Sequence, residues 1–247
     1  MHIHLLTLFP EVCYPYLDTS IVGRAHKSGI LQVSVYDIRH YASDRNRVTD
    51  DAPYGGGGGM VIKPEPVFAA VESIVGSQSE VNEVILLSPQ GRQFSQDLAY
   101  KLSKLDHIIL ISGRYEGFDE RIREHLATDE ISVGDYVVTG GELPALLIVD
   151  AIARLIPGVL GAVGAAEDDS HGQRGILEHP HYTRPVNFRS WTVPDVLLSG
   201  NHEKIAKWRI KQSLLRTWQR RPELLLEAQL SEYEKECLLG LAEESND

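Results

Sequence analysis

Short runs of β-branched and leucine residues recur along the first half of the chain and predict strands. They cover Ile3–Phe9, Ile30–Tyr36, Glu83–Leu87, His107–Ile111 and Glu130–Val133. Between several of them, apolar residues at helical spacing predict helices over Pro66–Ile74, Phe94–Leu105, Phe118–Leu126 and Glu142–Ile156. Strands that alternate with helices favour an α/β fold with a parallel sheet.

The chain changes character after the last of these helices, which we expect Pro157 and Gly158 to end. From Gly158 to Gly175 it is rich in Gly, Ala, Asp and Ser without apolar periodicity, which is typical of a mobile linker or a lid. A long helix is then predicted from Asn201, as its N-cap, to the Arg220-Arg221-Pro222 stop. We therefore predict a first domain over 1–160, a linker over 161–175 and a smaller, mainly helical domain over 176–247.

The charge of the chain bears on whether it binds a nucleic acid. Its 35 acidic and 24 Lys and Arg side chains give a formal net charge of −11, which counts against a polyanionic partner. The distribution is uneven, however, because residues 201–222 hold seven basic side chains and one acid, whereas residues 223–247 hold eight acids and one lysine. RNA therefore stays a candidate partner of the basic helix, and the acidic segment is expected to limit indiscriminate RNA binding.

Several classes of protein are excluded by motifs that the sequence lacks. Cys13 and Cys237 are far apart and have no zinc-ligand spacing, which argues against a disulfide framework or a structural zinc site. The sequence has no basic leader and no run of about 18 apolar residues, so we expect a cytoplasmic protein without a membrane partner. The G-x-G-x-x-G and P-loop motifs are also absent. Gly55–Gly59 is either a flexible linker or a loop ordered by the Asp, Tyr and Pro residues beside it.

Three of the predicted strands end in loops that contain glycine: Leu87–Gly91, Ser112–Gly117 and Val133–Glu142. In a parallel sheet such loops gather at the carboxyl edge, where open α/β proteins bind ligands. Glycine lets a ligand approach the backbone closely. Any one loop is equally explained as a tight turn, but three loops with polar and aromatic companions favour a ligand site.

Together these segments resemble the bacterial tRNA (guanine-N1)-methyltransferases of the SPOUT, or trefoil-knot, superfamily. The resemblance runs nearly from end to end and depends on the order and spacing of Pro53–Gly57, Gly59-Met60, Leu87–Gly91, Gly113–Gly117, Gly134–Val137, Gly140–Ala145, Ile156–Gly161, Pro180–Pro185, Leu198–His202, Arg216-Thr217 and Arg220–Leu225. It implies a SPOUT-type parallel sheet with a deep trefoil knot on the C-terminal side of the first domain. It also implies methyl transfer from S-adenosylmethionine to N1 of guanosine 37 in tRNA, where the preceding nucleotide is also guanosine. The resemblance further implies a homodimer with active sites shared between the chains.

The resemblance also assigns roles to individual residues. Cofactor binding falls to the three glycine loops, through Leu87, Ser88, Pro89, Gln90, Gly91, Gly113, Arg114, Tyr115, Glu116, Val133, Gly134, Asp135, Tyr136, Val137, Val138, Gly140, Gly141 and Pro144. Asp169 is implied as the general base that removes the guanine N1 proton, with Asp168 as the adjacent alternative. Arg154 is implied as the cation that stabilises charge developing on guanine O6. Because Arg154 lies in an apolar stretch where an unpaired buried charge is costly, a structural ion pair is its alternative role.

Two positions depart from the family pattern. Residue 171 is His where the family usually has Phe, and Glu178 stands where many members have Asp. The placement of the lid and any second carboxylate role for Glu178 therefore stay open. Family members are reported to use magnesium, for which Glu116 and the acids of the linker are candidate neighbours, although no spacing here defines a metal cage.

RNA recognition is assigned to the second domain. On an ideal helix Lys204, Lys207 and Lys211 share one face, and Arg209, Arg216 and Arg220 share another. The candidate RNA contacts are His181, Tyr182, Arg184, Lys207, Arg209, Arg216 and Arg220. Trp208 and Trp218 either stack on bases or belong to the core.

Two other functions compete with this prediction. One is a knotted protein that binds RNA or a nucleotide without catalysis, and the other is a SPOUT enzyme that methylates another base or a ribose. The presence of Arg154 and Asp169 together with all three loops favours guanine methylation, because a pure binding protein has no use for both side chains.

Overall fold

The computed structural model describes residues 1–77, 81–161, 169–172 and 174–244, with only the backbone for 242–244. The chain divides into two compact units, Met1–Val163 and Gly164–Asp247, each with its own apolar core. The division falls inside the predicted linker, of which residues 162–168 and 173 lie outside the described residues. The roles assigned to the two domains stay predictions.

The first unit is built on a parallel sheet. Its strands are β1 (His2–Thr7), β2 (Gln32–Asp37), β3 (Asp50–Asp51), β4 (Val61–Ile62), β5 (Glu83–Gln93), β6 (His107–Ser112) and β7 (Asp129–Ser132). Five of them form one sheet of order β2-β1-β6-β5-β7 in which every neighbouring pair is parallel, while β3 and β4 form a short antiparallel pair. All the strands predicted from the hydrophobic pattern are present in this sheet, so the α/β prediction is confirmed.

Helices cover both faces of the sheet. They are α1 (Tyr14–Leu17), α2 (Ser20–Lys27), α3 (Pro64–Ser77), α4 (Gln96–Leu102), α5 (Glu120–His125) and α6 (Glu142–Ala153), with short 3-10 turns at Pro10–Val12 and Ile38–Tyr41. Ile3 and Leu5 pack in the core with α2, α4 and α6, whereas Leu6 packs in the core with α3 and α5. Because side chains alternate along a strand, a sheet buried on both faces reads as a continuous apolar run.

Two element ends differ from the prediction. Strand β5 does not stop at Leu87 but continues to Gln93. Leu87 and Arg92 both pair with Ile131, so the pairing with β7 shifts its register across residues 88–91. Helix α6 ends at Ala153, before Pro157, because the backbone tightens after it: Leu155 N–H donates to Ile152 O at 2.9 Å and Ile156 N–H to Ala153 O at 3.3 Å. The apolar run therefore continues past the helix that it predicted.

The second unit is mainly helical. It contains the short antiparallel strands β8 (Asn187–Phe188) and β9 (Trp191–Thr192), followed by α7 (Asp195–Leu198), α8 (His202–Arg220), α9 (Leu224–Glu227) and α10 (Glu232–Glu244). The predicted N-cap is confirmed, because the Asn201 side chain accepts a hydrogen bond from Lys204 N–H at 3.0 Å. Leu214 of α8, Leu241 of α10 and Ile176 are the buried centre of the core. The acidic C-terminal segment therefore contributes a core helix that the sequence pattern did not predict.

Neither cysteine is in a disulfide, and Cys13 is buried whereas Cys237 is half-buried. Within the described ranges, no helix is both long enough and apolar enough to cross a membrane.

Candidate active site

A cavity of about 290 Å³ lies in the first unit, where β5, β6 and β7 end. Its lining consists of residues 86–90, 113–118, 120, 123, 130–133, 136–141 and 144. These stretches include parts of all three glycine loops, and their meeting follows from the parallel sheet, which brings the carboxyl ends of neighbouring strands to one edge. The volume is close to the lower end of the range for small-molecule sites, about 300–1,000 Å³.

The structure brings together most of the residues predicted to bind the cofactor. All of them line the cavity except Gly91, Gly134 and Asp135. Gly91 packs instead against the backbone of β7, since a Cβ there would lie 2.5 Å from Glu130 C. Gly134 shapes its loop, with φ of +155° and its carbonyl accepting from Ser132 Oγ at 3.0 Å.

Some lining residues were not predicted. They are Leu86, Gly117, Phe118, Glu120, Arg123, Glu130, Ile131, Ser132 and Thr139. Most of them adjoin the predicted loops in the sequence, so widening each loop to the end of its strand and the start of the next helix would have included them.

An ion pair connects two of the cavity loops to β1. Arg114 Nη2 lies 3.0 Å from Glu142 Oε2, and the almost fully buried Glu142 also accepts a hydrogen bond from Thr7 Oγ1 at 2.7 Å. Arg114 Nη1 donates to Thr139 O at 3.3 Å, and its guanidinium lies over the Phe9 ring at 4.5 Å. The sequence predicts Glu142 as the end of the third glycine loop and the start of a helix, but not its ion pair. Its position in the first turn of α6 also suits the helix dipole.

One polar atom of this group lacks a partner. Among the described residues, Arg114 Nε is buried without a hydrogen-bond acceptor. Gly140 leaves room for the guanidinium, because a Cβ there would lie 2.3 Å from Nε. A buried donor without an acceptor is costly, so a ligand that offers an acceptor would be favoured here.

Two of the loops touch through their backbones. Gly141 N–H donates to Gly113 O at 2.8 Å, and Ser112 Oγ donates to Gly141 O at 3.2 Å. A Cβ on residue 141 would lie only 2.7 Å from Gly113 N and from Ser112 Cα. This close approach requires glycine at position 141.

The pentaglycine run is fixed at one end. Glu116 N–H donates to Met60 O at 3.0 Å, and a Cβ on Gly59, where φ is +83°, would lie 2.3 Å from Glu116 Oε1. A Cβ on any of residues 55–58 would meet nothing within 4 Å, and Tyr54 beside them is fully exposed. Of the two alternatives, the ordered loop therefore holds for the end of the run that reaches Glu116.

The two candidate catalytic residues belong to different units. Arg154 is exposed at the C-cap of α6, so the expectation of a buried charge is wrong: the helix ends at Ala153, and Arg154 is not part of its buried face. Asp169 is half-buried in the second unit, where its carbonyl accepts from Gly172 N–H at 2.8 Å. The alternative base, Asp168, lies outside the described residues.

His171 and Glu178, which depart from the family pattern, follow Asp169 in the sequence and form hydrogen bonds within the same segment. His171 has a φ of +64°, and its N–H donates to Ile176 O at 3.1 Å. Glu178 N–H donates to Ser170 Oγ at 3.0 Å, and its carboxylate lies 3.4 Å from His181 Nε2. The hydrogen bonds of His171 and Glu178 therefore connect the residues next to Asp169 to the start of the second unit's described chain after residue 174.

The candidate RNA contacts lie on the surface of the second unit. His181, Tyr182, Arg184, Lys207, Arg209 and Arg220 are exposed, and Arg216 is half-buried. Trp208 lies beside one of them, with its ring centroid 6.4 Å from that of Tyr182, and it also lies 6.5 Å from the ring centroid of His179. Trp218 packs against the core instead. The two tryptophans therefore differ, and only Trp208 lies with the candidate contacts.

Electrostatic partners already modify this surface. The Lys207 ammonium lies 2.6 Å from Glu203 Oε1, and their hydrogen bond raises the pKa of Lys207 and lowers that of Glu203. Burial is the main cause that lowers the pKa of His179, which leaves this ring neutral at pH 7. The Glu203 carboxylate therefore offsets the positive charge of Lys207. Arg209, which the structure also describes, extends from the same helix and does not pair with Glu203.

The chain is similar to one family of RNA-modifying enzymes. The family model described as tRNA (guanine-1)-methyltransferase TrmD matches residues 1–227. A protein of Dehalococcoides mccartyi named tRNA (guanine-N(1)-)-methyltransferase is 51% identical over 246 residues, covering 100% of this chain and 99% of its own. Proteins with the same name from Moorella thermoacetica and Staphylococcus epidermidis are each 52% identical, over 239 and 238 residues, and in each case 96% of this chain is covered, with 95% and 96% of the relative.

Proposed function

Since the chain belongs to the tRNA (guanine-1)-methyltransferase TrmD family, we propose that it methylates N1 of guanosine 37 in tRNAs whose preceding nucleotide is also guanosine. The methyl donor is S-adenosylmethionine. The observation that carries the proposal is the meeting of three glycine loops around one cavity, in a chain that matches the family over nearly its whole length. The finer features of the reaction follow from the residues of that cavity and of the second unit.

The cavity has the donors and surfaces that S-adenosylmethionine requires. The buried Arg114 Nε has no acceptor in the described part of the chain and suits the cofactor carboxylate. Leu87, Pro89 and Val137 give the lining apolar surface for a planar base. Bound there, S-adenosylmethionine supplies a methyl group on a positively charged sulfur. We propose that the residues predicted to bind the cofactor do so. Gly91, Gly134 and Asp135, which do not line the cavity, contribute by shaping its loops.

A deep trefoil knot accompanies this site in our proposal. Its support is the irregular pairing of residues 88–91 of β5, where Gly91 packs against the backbone of β7, together with the hydrogen bond between Gly141 and Gly113. Loops that are held this tightly keep their backbone groups in place before the ligand arrives. Such preorganisation lowers the cost of binding.

Asp169 acts as general base in the proposed mechanism. At neutral pH guanine N1 carries a proton, so N1 can attack the methyl carbon only as that proton leaves. The N1–C bond forms while the C–S bond breaks, the sulfur keeps the electron pair, and the proton passes to the Asp169 carboxylate. A positioned base of this kind contributes about 10²–10⁴-fold. Asp168 is the alternative base.

Arg154 stabilises the negative charge that develops on guanine O6. The Arg154 side chain lies on the surface at the end of α6, where a substrate can reach it. A fixed cation is worth most where charge appears during the reaction.

Magnesium is a secondary element of the proposal. Glu116 is the candidate ligand, and its carboxylate lies in the cavity lining beside Gly59. Within the described ranges, no cluster of three His, Cys, Asp or Glu side chains includes it. Mg²⁺ held there would therefore complete its coordination with oxygens of substrate and water.

We propose a homodimer whose active sites are shared between the chains. Val137 in a cavity loop is 84% exposed, and Leu143 and Leu147 on α6 are 63% and 45% exposed. Exposed apolar side chains grouped in this way are typical of a surface covered by a partner. Coverage by a second copy also excludes water from the cavity.

The tRNA contacts are proposed on the second unit. Tyr182 lies beside the Trp208 ring, and the exposed Arg209 is the next residue of α8, so an unpaired base and a phosphate can be bound on this surface. Arg216 and Arg220 extend the basic surface along the same helix, and His181 and Arg184 extend it before β8. Reversing Lys207 and Arg220 to Glu weakens tRNA binding and leaves binding of S-adenosylmethionine intact; unchanged tRNA affinity refutes this placement.

A transfer assay with methyl-labelled S-adenosylmethionine tests the proposed function. The substrates are tRNA transcripts with guanosine or adenosine at position 37, and with or without guanosine at position 36. Label is expected only where both guanosines are present. Binding of tRNA without any label would indicate a binding protein, and equal label in all transcripts would indicate an enzyme for another nucleotide.

Variants of the proposed catalytic residues separate chemistry from binding. Asp169→Ala and Arg154→Ala each lower the rate of methyl transfer more than about tenfold, while Asp169→Ala keeps its affinity for the cofactor. Glu236→Gln, which removes an exposed carboxylate of the same unit, is the control and keeps the rate. Full activity of Asp169→Ala refutes its role, and loss only in Asp168→Ala moves that role by one residue.

A further inference from the structure

Three histidines meet at the amino-terminal ends of two neighbouring strands, at the edge of the sheet opposite to the cavity. His2 and His4 are on β1, and His107 starts β6 directly beside His2. The ring centroids are 3.9 Å apart for His2 and His4, 5.6 Å for His2 and His107, and 5.9 Å for His4 and His107. One ring nitrogen from each residue lies within 4.8 Å of those of the other two. This histidine cluster shares none of the residues that line the cavity.

The hydrogen bonds of the cluster leave nitrogens available on its inner side. His2 Nε2 is 2.8 Å from Ser34 Oγ, and His4 Nδ1 is 3.1 Å from Tyr36 Oη. His4 is fully buried, yet within the described ranges neither its Nε2 nor the buried Nδ1 of His107 has a hydrogen-bond partner. Buried polar atoms without partners are rare because they lose their hydration without compensation. Two such atoms on adjacent rings point to a ligand that accepts lone pairs from both.

We propose that His2, His4 and His107 bind one Zn²⁺ ion through one nitrogen each, with water as the fourth ligand. Neutral imidazole is a preferred zinc ligand. Tetrahedral Zn–N distances of about 2.0–2.1 Å place the nitrogens roughly 3.3 Å apart, so nitrogens that lie within 4.8 Å of one another need to draw together by no more than about 1.5 Å. His2 and His107 are only half-buried at the strand ends, so their rings can make that movement.

The surroundings of the rings favour neutral imidazole, which can bind a metal ion, over the protonated form, which cannot. Burial lowers the pKa of His4 to about 4, and burial together with the nearby His107, the N-terminal amine and His26 lowers that of His2. Both rings are therefore neutral at pH 7, which is the form that ligates a metal. In the tautomer that leaves His4 Nε2 free, Nδ1–H donates to Tyr36 Oη and fixes the ring, as the partners of metal-bound histidines commonly do.

Zinc bound here connects β1 to β6, which are neighbouring interior strands of the five-stranded sheet. Because a ligand that binds only the folded state stabilises it by mass action, Zn²⁺ raises the melting temperature of the first unit. Methyl transfer does not depend on this site in the proposal. Metal binding and stability are therefore the measurements that test it.

The experiment uses the untagged full-length protein after removal of metal by a chelator. Zn²⁺ is titrated in competition with a chromophoric chelator, and Co²⁺ is added separately because tetrahedral coordination gives it visible absorption bands. The wild type is expected to bind one Zn²⁺ per chain, to show those bands with Co²⁺, and to melt at a higher temperature with Zn²⁺.

Variants locate the site. His2→Gln and His107→Gln each weaken Zn²⁺ binding at least about tenfold and abolish the rise in melting temperature, and Tyr36→Phe weakens binding about tenfold. His125→Gln and His181→Gln, which remove exposed histidines from the first and second units, leave binding unchanged. Melting of the variants without metal shows that they fold. The proposal is overturned if the wild type binds neither ion, or if His107→Gln binds Zn²⁺ like the wild type.

Discussion

Replacing Gly141 with alanine tests whether the contact between two cavity loops sets the affinity for the cofactor. The new Cβ would lie 2.7 Å from both Gly113 N and Ser112 Cα, and 3.0 Å from Ser112 Cβ. Carbon atoms in good contact are about 3.5–4.0 Å apart, so the loops must separate by roughly 1 Å. The backbone at Gly141 has φ of −78° and ψ of −6°, which alanine adopts without strain, and the effect is therefore purely steric.

The size of the effect follows from what that separation breaks. It lengthens the bond from Gly141 N–H to Gly113 O, now 2.8 Å, and the bond from Ser112 Oγ to Gly141 O, now 3.2 Å. Overpacking of this kind costs about 1–3 kcal/mol, and each kcal/mol lowers the melting temperature by about 2–4 °C in a chain of this size. Because both glycines line the cavity, we expect the dissociation constant of S-adenosylmethionine to rise at least about tenfold, or about 1.4 kcal/mol.

Calorimetric titration with S-adenosylmethionine and thermal melting measure the two effects. The matched control is Gly76→Ala on the exposed side of α3, where the added Cβ meets nothing within 4 Å. That variant keeps its affinity for the cofactor and melts at the wild-type temperature or slightly above it, because alanine favours a helix. Wild-type affinity in Gly141→Ala would refute the reasoning, whether or not the melting temperature falls.

Four further changes test other parts of the molecule. Glu142→Gln leaves Arg114 without its charge partner and lowers the free energy of unfolding by about 3–5 kcal/mol, measured by urea denaturation. Lowering the pH from 7 to 5 in chelator destabilises the first unit, because the pKa of His4 is about 4 when folded and 6.5 ordinarily; its contribution is full above pH 6.5 and declines as the pH falls toward 4, so His4→Gln flattens this dependence in urea denaturation. Arg209→Glu weakens tRNA binding and reduces its salt dependence in filter-binding assays, with cofactor affinity unchanged. Leu143→Asp yields monomers in sedimentation experiments and loses methyl transfer.

Each of these expectations has a result that opposes it. Wild-type stability of Glu142→Gln would mean that the buried pair does not hold the loops. A pH dependence equal in His4→Gln and the wild type would assign it to other groups. An unchanged salt slope in Arg209→Glu would place the phosphates elsewhere. A fully active dimer of Leu143→Asp would move the dimer interface away from α6.

The sheet could be predicted from the sequence because its strands are apolar on both faces. Ile108 and Leu110 of β6 pack with one layer of helices while Ile109 and Ile111 pack with the other, so β6 reads as one continuous apolar run. The start of α8 could also be predicted from a local signal, because the Asn201 side chain accepts a hydrogen bond from Lys204 N–H, only three residues along the chain. Both signals lie within a few residues of the element that they specify.

The features that the sequence did not reveal depend on distant pairings. Thr7 and Glu142 are 135 residues apart in the chain, and the residues next to each of them in the sequence give no sign of the contact. The apolar run past Ala153 suggested a longer helix and a buried Arg154, because hydrophobicity measures burial and does not show where the backbone leaves the helix. His107 joins His2 and His4 only through the register of β6 beside β1.

The glycine loops could be predicted in part. Their sequence predicted a ligand site at the carboxyl edge of the sheet, and the residues do line one cavity. The shift of register across residues 88–91 of β5 was not predicted, because Arg92 returns to the pairing with Ile131 that Leu87 already makes. A change of register of this kind depends on the neighbouring strand and leaves no periodic signal.

The central claim is that this chain places a methyl group on N1 of guanosine 37, and mapping the product tests it most directly. Purified protein is incubated with S-adenosylmethionine and a tRNA transcript that has guanosine at positions 36 and 37, and the digested product is analysed by nucleoside and oligonucleotide mass spectrometry. We expect 1-methylguanosine at position 37, and its loss in Asp169→Ala. A methyl group on another base or on a ribose, or no methylated product from the folded wild-type protein, would contradict it.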